Sequence, residues 1–156
     1  MAKKILVAID DSENGKRTAD FIAESLSRDN RITLFSVVPD TATLCDMNSP
    51  ELTPHFLSQQ SSFCTLEDQK KNLVSQAQET AKARLVEAGF DEKQITLKTQ
   101  LRKKGIARDI VAESQDGYDL LVIGRRGVTG IKEYFLGSIS QKVLHLSKDV
   151  SVLIVN

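Results

Sequence analysis

The sequence has no excess of charge. Lysine and arginine total 21, aspartate and glutamate total 21, and the formal net charge over 156 residues is zero. A neutral chain has no overall field to draw in nucleic acid or an acidic membrane surface. Its basic clusters, Arg102-Lys103-Lys104 and Arg125-Arg126, are short. They read as solvated loop, and no nucleic-acid partner is expected. Long apolar runs are missing too. None reaches the roughly 18 residues that suggest a spanning helix, so no membrane partner is expected either. The first apolar run, residues 5–9, follows Lys3-Lys4 directly and is too short for the core of a signal peptide. A cytoplasmic protein is the expectation. Cysteine is scarce: Cys45 and Cys64 stand alone and cannot make a disulfide framework. With His55 between them they lack the close pairs of a zinc site. They read as free thiols in a loop, with no metal site.

Two familiar phosphate loops are absent as well. No glycine is followed by Lys-Ser or Lys-Thr, and Gly124, Gly127 and Gly130 stand three apart. Neither the P-loop nor the dinucleotide pattern G-x-G-x-x-G fits. What is present is residues 118–140, YDLLVIGRRGVTGIKEYFLGSIS. Four aliphatic residues, 120–123, read as a buried strand that breaks at Gly124. The glycine loop follows. Gly137 then stands directly before Ser138, where an apolar-periodic helix pattern starts. Glycines let backbone N–H groups approach an anion closely. A helix start adds unpaired donors and partial positive charge. Ser138 is placed to cap that helix and to donate its hydroxyl to a phosphate oxygen. The plain alternative is a glycine-rich connection that binds nothing.

The length fits one domain, residues 1–156. Residues 3–9, KKILVAI, read as a central buried strand ending at Asp10-Asp11-Ser12, which can cap a helix. Ala19, Ile22, Ala23 and Leu26 give that helix its apolar face. A second strand spans 31–38. From 41 to 65 the period dissolves among Pro50, Pro54 and many polar residues, which predicts an irregular surface insert, partly mobile, with room for one short helix. A long helix over 66–88 would turn Leu73, Ala77, Ala81, Leu85 and Ala88 inward and stop at Gly89. Residues 95–101 alternate and read as an edge strand. A short helix carries Ile106, Ile110 and Val111 inward, and the helix from Ser138 carries Ile139, Val143 and Leu146. Residues 150–155 close the chain as a fifth strand.

Alternating strands and helices predict an α/β fold: a doubly wound, Rossmann-like five-stranded parallel sheet with helices on both faces. The order 3-2-1-4-5 puts the apolar strands inside and the alternating one at an edge. Strands 1 and 4 are then neighbours whose connections leave in opposite directions, and ligands bind at such a switch point. Asp10–Ser12 and the glycine loop should therefore face one cleft.

Gly124-x-x-Gly127, nine residues and then Gly137-Ser138 resembles the nucleotide signature of the ATP-binding branch of the universal stress protein family. KKILVAIDDSE resembles that family's opening strand, and YDLLVIGRRG with LGSIS its fourth strand and loop. The likeness covers nearly the whole chain outside 41–65. It implies a nucleotide-binding stress or regulatory protein with ATP as ligand, or ADP or AMP in its place. It implies that Asp10 bonds the ribose hydroxyls or the adenine edge, with Ala8 lining the same pocket. Val37 would offer backbone groups to adenine. Gly124 would lie against the ribose. Gly127, Gly137 and Ser138 would hold the phosphates, and Ile139 and Ser140 would add backbone or hydroxyl donors. Asp11 stands where the family often has an uncharged residue. A second role is open to Asp10, holding a Mg²⁺ ion that bridges the phosphates. No catalytic base is visibly placed, so a dedicated enzyme is not expected. Weak ATP hydrolysis or self-phosphorylation stays open.

Other protein classes share parts of this pattern. A phosphorelay receiver shares the acidic pair after strand 1 but needs an acceptor aspartate where this chain has Gln100-Leu101-Arg102. An adenylate-forming or flavoprotein subunit would need a second substrate site that the length does not provide. A nucleotide-free dimeric scaffold is countered by the intact glycine motif. A homodimer is expected in any case, through the C-terminal strand. Val150, Val152, Leu153, Ile154 and Val155 leave only Ser151 polar on an edge that native proteins rarely leave bare.

Overall fold

The structure is a computed structural model, and it describes residues 1–46, 53–125 and 136–156. The continuous apolar runs form β1 (Lys4–Ala8), β2 (Arg31–Val38) and β4 (Leu120–Gly124). The alternating run forms β3 (Ile95–Leu101) and the closing run β5 (Ser151–Val155). All pair in parallel, in the order β3-β2-β1-β4-β5. This is the doubly wound sheet that the sequence predicts. The helices are α1 (Glu13–Ser25), α2 (Ala42–Cys45), α3 (Pro54–Glu87), α4 (Ile106–Ser114) and α5 (Ser138–Leu146).

Strand side chains alternate between faces, so the sheet has two cores. Ile5, Val7, Ile32, Leu34 and Val122 meet Ala19 and Ile22 of α1 and Leu85 of α3 on one side. Leu6, Phe35, Leu121 and Ile123 meet Ile110 and Val111 of α4 and Val143 of α5 on the other. Each fully buried side chain of this size contributes roughly 1.5–3 kcal/mol, and this burial fixes the strand ends on which the site is built.

The segment 41–65 departs from expectation. In place of an irregular insert, α2 and the first turns of α3 occupy most of its described residues. Pro54 starts α3 rather than breaking a helix, because proline is pre-set for the first helical position. Thr53 caps it, its Oγ1 accepting from the Phe56 N–H at 3.2 Å. The sequence hides this stretch because Ser and Gln at 58–62 separate Phe56 and Leu57 from Phe63 and Cys64 and interrupt the apolar face. The thiol expectation is also overturned. Cys45 and Cys64 are disulfide-bonded, with Cα atoms 5.9 Å apart. Once both residues are helical, Cys64 faces α2, an approach that a loop reading of the segment could not supply.

The inward face of α3 keeps Ala81 and Leu85 of the expected stripe, with Ala77 and Ala88 partly buried against the same core, and departs from it at the N-terminal end. Leu73 is 52% exposed, and the buried positions are Val74, Gln78, Ala81 and Leu85. Gln78 is buried because strand groups satisfy it. Its Nε2 donates to Ser36 Oγ at 2.9 Å and to the Lys98 carbonyl at 3.1 Å, and its Oε1 accepts from Thr99 Oγ1 at 3.2 Å. The helix ends at Gly89, whose φ of 101° is the left-handed conformation glycine supplies there.

Candidate functional site

The site forms where β1 stops short of its neighbours. In the pairing of β1 with β2, Ala8 lies opposite Phe35, and β2 runs on to Val38. The Ile9 N–H still reaches the Phe35 carbonyl at 2.9 Å. On the other side of β2, the Val38 carbonyl accepts from Arg102 N at 2.7 Å. Backbone groups alternate sides along a strand, so the Val37 N–H and C=O point toward the space that β1 has vacated. They present one donor and one acceptor to that space.

Asp10 follows directly. Its Oδ1 accepts the Ser12 N–H at 2.9 Å and also the Ser12 hydroxyl, closing the turn into α1. Its other carboxylate oxygen is left for a ligand. Beside it, Asp11 Oδ1 is buried without a hydrogen-bond partner among the described residues, and a buried acceptor left in that state costs stability unless something supplies a donor.

Across the switch point β4 ends at Gly124, and the chain returns to it at Gly137, whose N–H bonds the Arg125 carbonyl at 2.8 Å. The first hydrogen bond inside α5 runs from Gln141 N to the Gly137 carbonyl. The N–H groups of Ser138, Ile139 and Ser140 therefore have no partner within the helix. Ser138 is the first helical residue and makes no side-chain cap, which corrects the capping role expected of it. The Ser140 hydroxyl donates to the Gly124 carbonyl at 2.6 Å. That bond ties α5 to the end of β4 and leaves Ser140 its backbone N–H to offer. Gly137 has φ −59° and ψ 152°, a conformation open to any residue, so its backbone does not require glycine; a side chain there would intrude on the space in front of α5.

These parts line one cleft of about 340 Å³, within the usual range for small-molecule sites. Ala8, Asp10, Val37, Gly124, Gly137, Ser138, Ile139 and Ser140 all reach it. Gly127 lies outside the described residues. Lys70, Arg102 and Asp11 line the cleft too. Asp11 stands where the switch-point reading puts the acid pair, whereas Arg102 reads as solvated loop in the sequence and nothing there sets Lys70 beside it; the packing of α3 and β3 is the signal that the sequence lacks. His55 and His145 are both exposed and neither lines the cleft.

The model of the universal stress protein family matches residues 1–156. The chain belongs to that family. A curated relative, universal stress protein YxiE of Bacillus subtilis, is 29% identical over 155 residues, covering 94% of this chain and 95% of its own. Two solved structures share the fold. A universal stress protein in complex with cAMP is 18% identical, with a TM-score of 0.63, covering 99% of this chain and 97% of that one. A universal stress protein family protein from Arabidopsis thaliana with AMP bound is 17% identical, with a TM-score of 0.58, covering 98% and 90%. Among the described residues of this universal stress protein, no helix is long and apolar enough to cross a membrane.

Proposed function

We propose that this universal stress protein is a cytoplasmic, homodimeric regulatory protein that binds adenine nucleotides, ATP in particular, at the switch point between β1 and β4. The observation that carries the reading is the convergence of Asp10, the open backbone of Val37 and the Gly124–Gly137–Ser138 end in one cleft. The AMP and cAMP bound in two structures of the same fold support the ligand class. The free oxygen of Asp10 takes a ribose hydroxyl or the adenine edge. Val37 pairs its N–H and C=O with the base, and Ala8 lines the pocket beside it. Gly124 lies against the ribose. Gly127, Gly137 and Ser138 hold the phosphates, helped by the N–H groups of Ile139 and Ser140 and by the positive end of α5.

Among the described residues no group of three metal-ligating side chains comes together. A Mg²⁺ ion would thus be held by Asp10 and the phosphates, the usual way this ion meets a nucleotide site.

The test is titration calorimetry with ATP on the parent and on Gly137→Val. The backbone at Gly137 admits valine, so a folded variant with little binding is expected. Equal affinities would remove the glycine end from the site. The dimer rests on β5, which pairs with β4 alone and forms one edge of the sheet; the same strand of a second copy can pair with it antiparallel about a two-fold axis. Sedimentation at micromolar concentration should show that dimer, and a single 17.3 kDa species would refute it.

A further inference from the structure

We infer that the Cys45–Cys64 bridge is a reversible modification site, opened by small thiols and closed by their disulfides, which orders the first half of α3 beside the cleft when closed and loosens it when open. The site stands on the fold alone; its effect on the ligand rests on the adenine-nucleotide reading above. α3 has two unlike halves. From Val74 onward it is held by the sheet: Val74, Gln78, Ala81 and Leu85 are buried, and Gln78 bonds to groups of both β2 and β3. From Pro54 to Leu73 every residue is exposed or half-buried. At about 1.5 Å per residue this is roughly 30 Å of helix without a core. It contains no alanine and has serine at 58, 61 and 62. Isolated helices of such length are marginal in water even when rich in alanine. The first half of α3 therefore depends on what ties it down.

The ties lead to α2. The disulfide joins Cys64 to Cys45, the last residue of α2. Gln60 Nε2 donates to the Leu44 carbonyl, and Lys71 Nζ donates to Thr41 Oγ1 at 3.4 Å. Of these three ties only the bridge is covalent. α2 is a single turn of four residues and offers little surface against which a long helix can pack. Glu67, one turn beyond Cys64, has its Oε2 buried without a hydrogen-bond partner among the described residues. The closed arrangement bears that cost, and an open one relieves it.

Neither cysteine is buried, so a thiolate can reach the bridge. It attacks one sulfur and forms a mixed disulfide, and the other cysteine leaves as a thiolate. A second small thiolate then attacks the mixed disulfide and departs with the first as a small disulfide. The two electrons stay on Cys45 and Cys64, which take two protons from solvent, and the reverse sequence closes the bridge. The cytoplasmic setting proposed above is reducing, and protein disulfides there are mostly transient, catalytic or redox-sensing. Loosening reaches the ligand because both arms of the bridge lead to the cleft. Pro39, two residues before Thr41, lines it, and so do Lys70 and Val74, where the two halves of α3 meet.

The experiment is amide hydrogen exchange read by mass spectrometry, with thiol labelling to count open cysteines. The samples are the parent in glutathione disulfide, the parent in reduced glutathione, and the double variant Cys45→Ser/Cys64→Ser. Reduced glutathione should open the bridge in the folded parent and quicken exchange over residues 54–69 at least about tenfold, with β1 and β4 unchanged. The double variant should exchange like the reduced parent in either buffer. ATP affinity, read by calorimetry, should fall at least about threefold on reduction and return on reoxidation. Equal exchange over 54–69 in the two states of the parent overturns the site, as does a bridge that stays closed until the protein unfolds. Altered exchange with equal ATP affinity in both states overturns the link to the cleft. Failure of the underlying reading looks different: ATP then binds in neither state, while exchange still decides the redox site.

Discussion

Gln78 gives the sharpest test of how the sheet is held beneath the cleft. Its side chain is 3% exposed and joins α3 to both β2 and β3. Its Nε2 donates to Ser36 Oγ at 2.9 Å, and Ser36 Oγ donates in turn to the Ile9 carbonyl at 2.6 Å. A chain of hydrogen bonds thus runs from α3 to the residue before Asp10. Replacing Gln78 by leucine keeps most of the volume and removes three well-formed bonds, those to Ser36, Lys98 and Thr99. At about 1 kcal/mol each the loss is about 3 kcal/mol. Two partners soften it, because the Lys98 carbonyl and the Thr99 hydroxyl keep other ways of bonding, which lowers the expectation to about 2 kcal/mol. Gln78→Ala adds an unfilled space and should cost more than Gln78→Leu. Urea unfolding reads both variants: the midpoint should fall while the slope stays constant. A Gln78→Leu protein as stable as the parent would refute the view that this buried amide stabilises the sheet. It would show that an apolar contact serves equally, as it does for some buried polar groups elsewhere.

Two further outcomes follow from the same structure. Asp10→Asn keeps the oxygen that receives the two Ser12 donors and replaces the one that faces the cleft, so its thermal midpoint should hold while ATP affinity drops more than about tenfold. If the loss varies with magnesium concentration the carboxylate holds the ion, and unchanged binding with and without magnesium rules out both roles. Cys64→Ser opens a bridge across a sequence separation of 19. The chain-entropy model gives a loss of about 3 kcal/mol at most, read as a lower urea midpoint, and a parent with the same midpoint in oxidant and in dithiothreitol would refute it.

The sheet was legible because its strands are written in two distinct patterns. The apolar runs at Ile5–Val7 and Leu120–Ile123 demand cover on both faces, whereas Ile95–Leu101 alternates. Together with right-handed crossovers these leave little choice of order. The meeting of Asp10 with Gly124 and Gly137 followed from that order. Three features were not legible. The start of α3 has its apolar face interrupted by Ser and Gln at 58–62, so Pro54 and its neighbours read as loop. The burial of Gln78 carries no sequence signal, because a single amide cannot announce that strand groups await it. Arg102 and Lys104 look like any basic turn until Asp109 is seen fixing that turn from beneath, its carboxylate accepting from the Lys103 and Lys104 N–H groups. In each case the deciding partner lies far along the chain.

The neighbouring positions of β1 and β4 in the sheet also bear on how the protein is made. One wall of the cleft, from Ala8 to Val37, leaves the ribosome well before the other, Gly124 to Ser140. In the interval β1 has β2 on one side and an open edge on the other. If the cleft holds a nucleotide as proposed, that ligand could not help to hold β1 yet, since the phosphate end of the cleft would not exist. Its binding would stabilise only chains extended past Gly137, and a product that stops earlier would be left without that support. A change in the nucleotide pool would then alter the lifetime of molecules with both walls and leave shorter ones untouched.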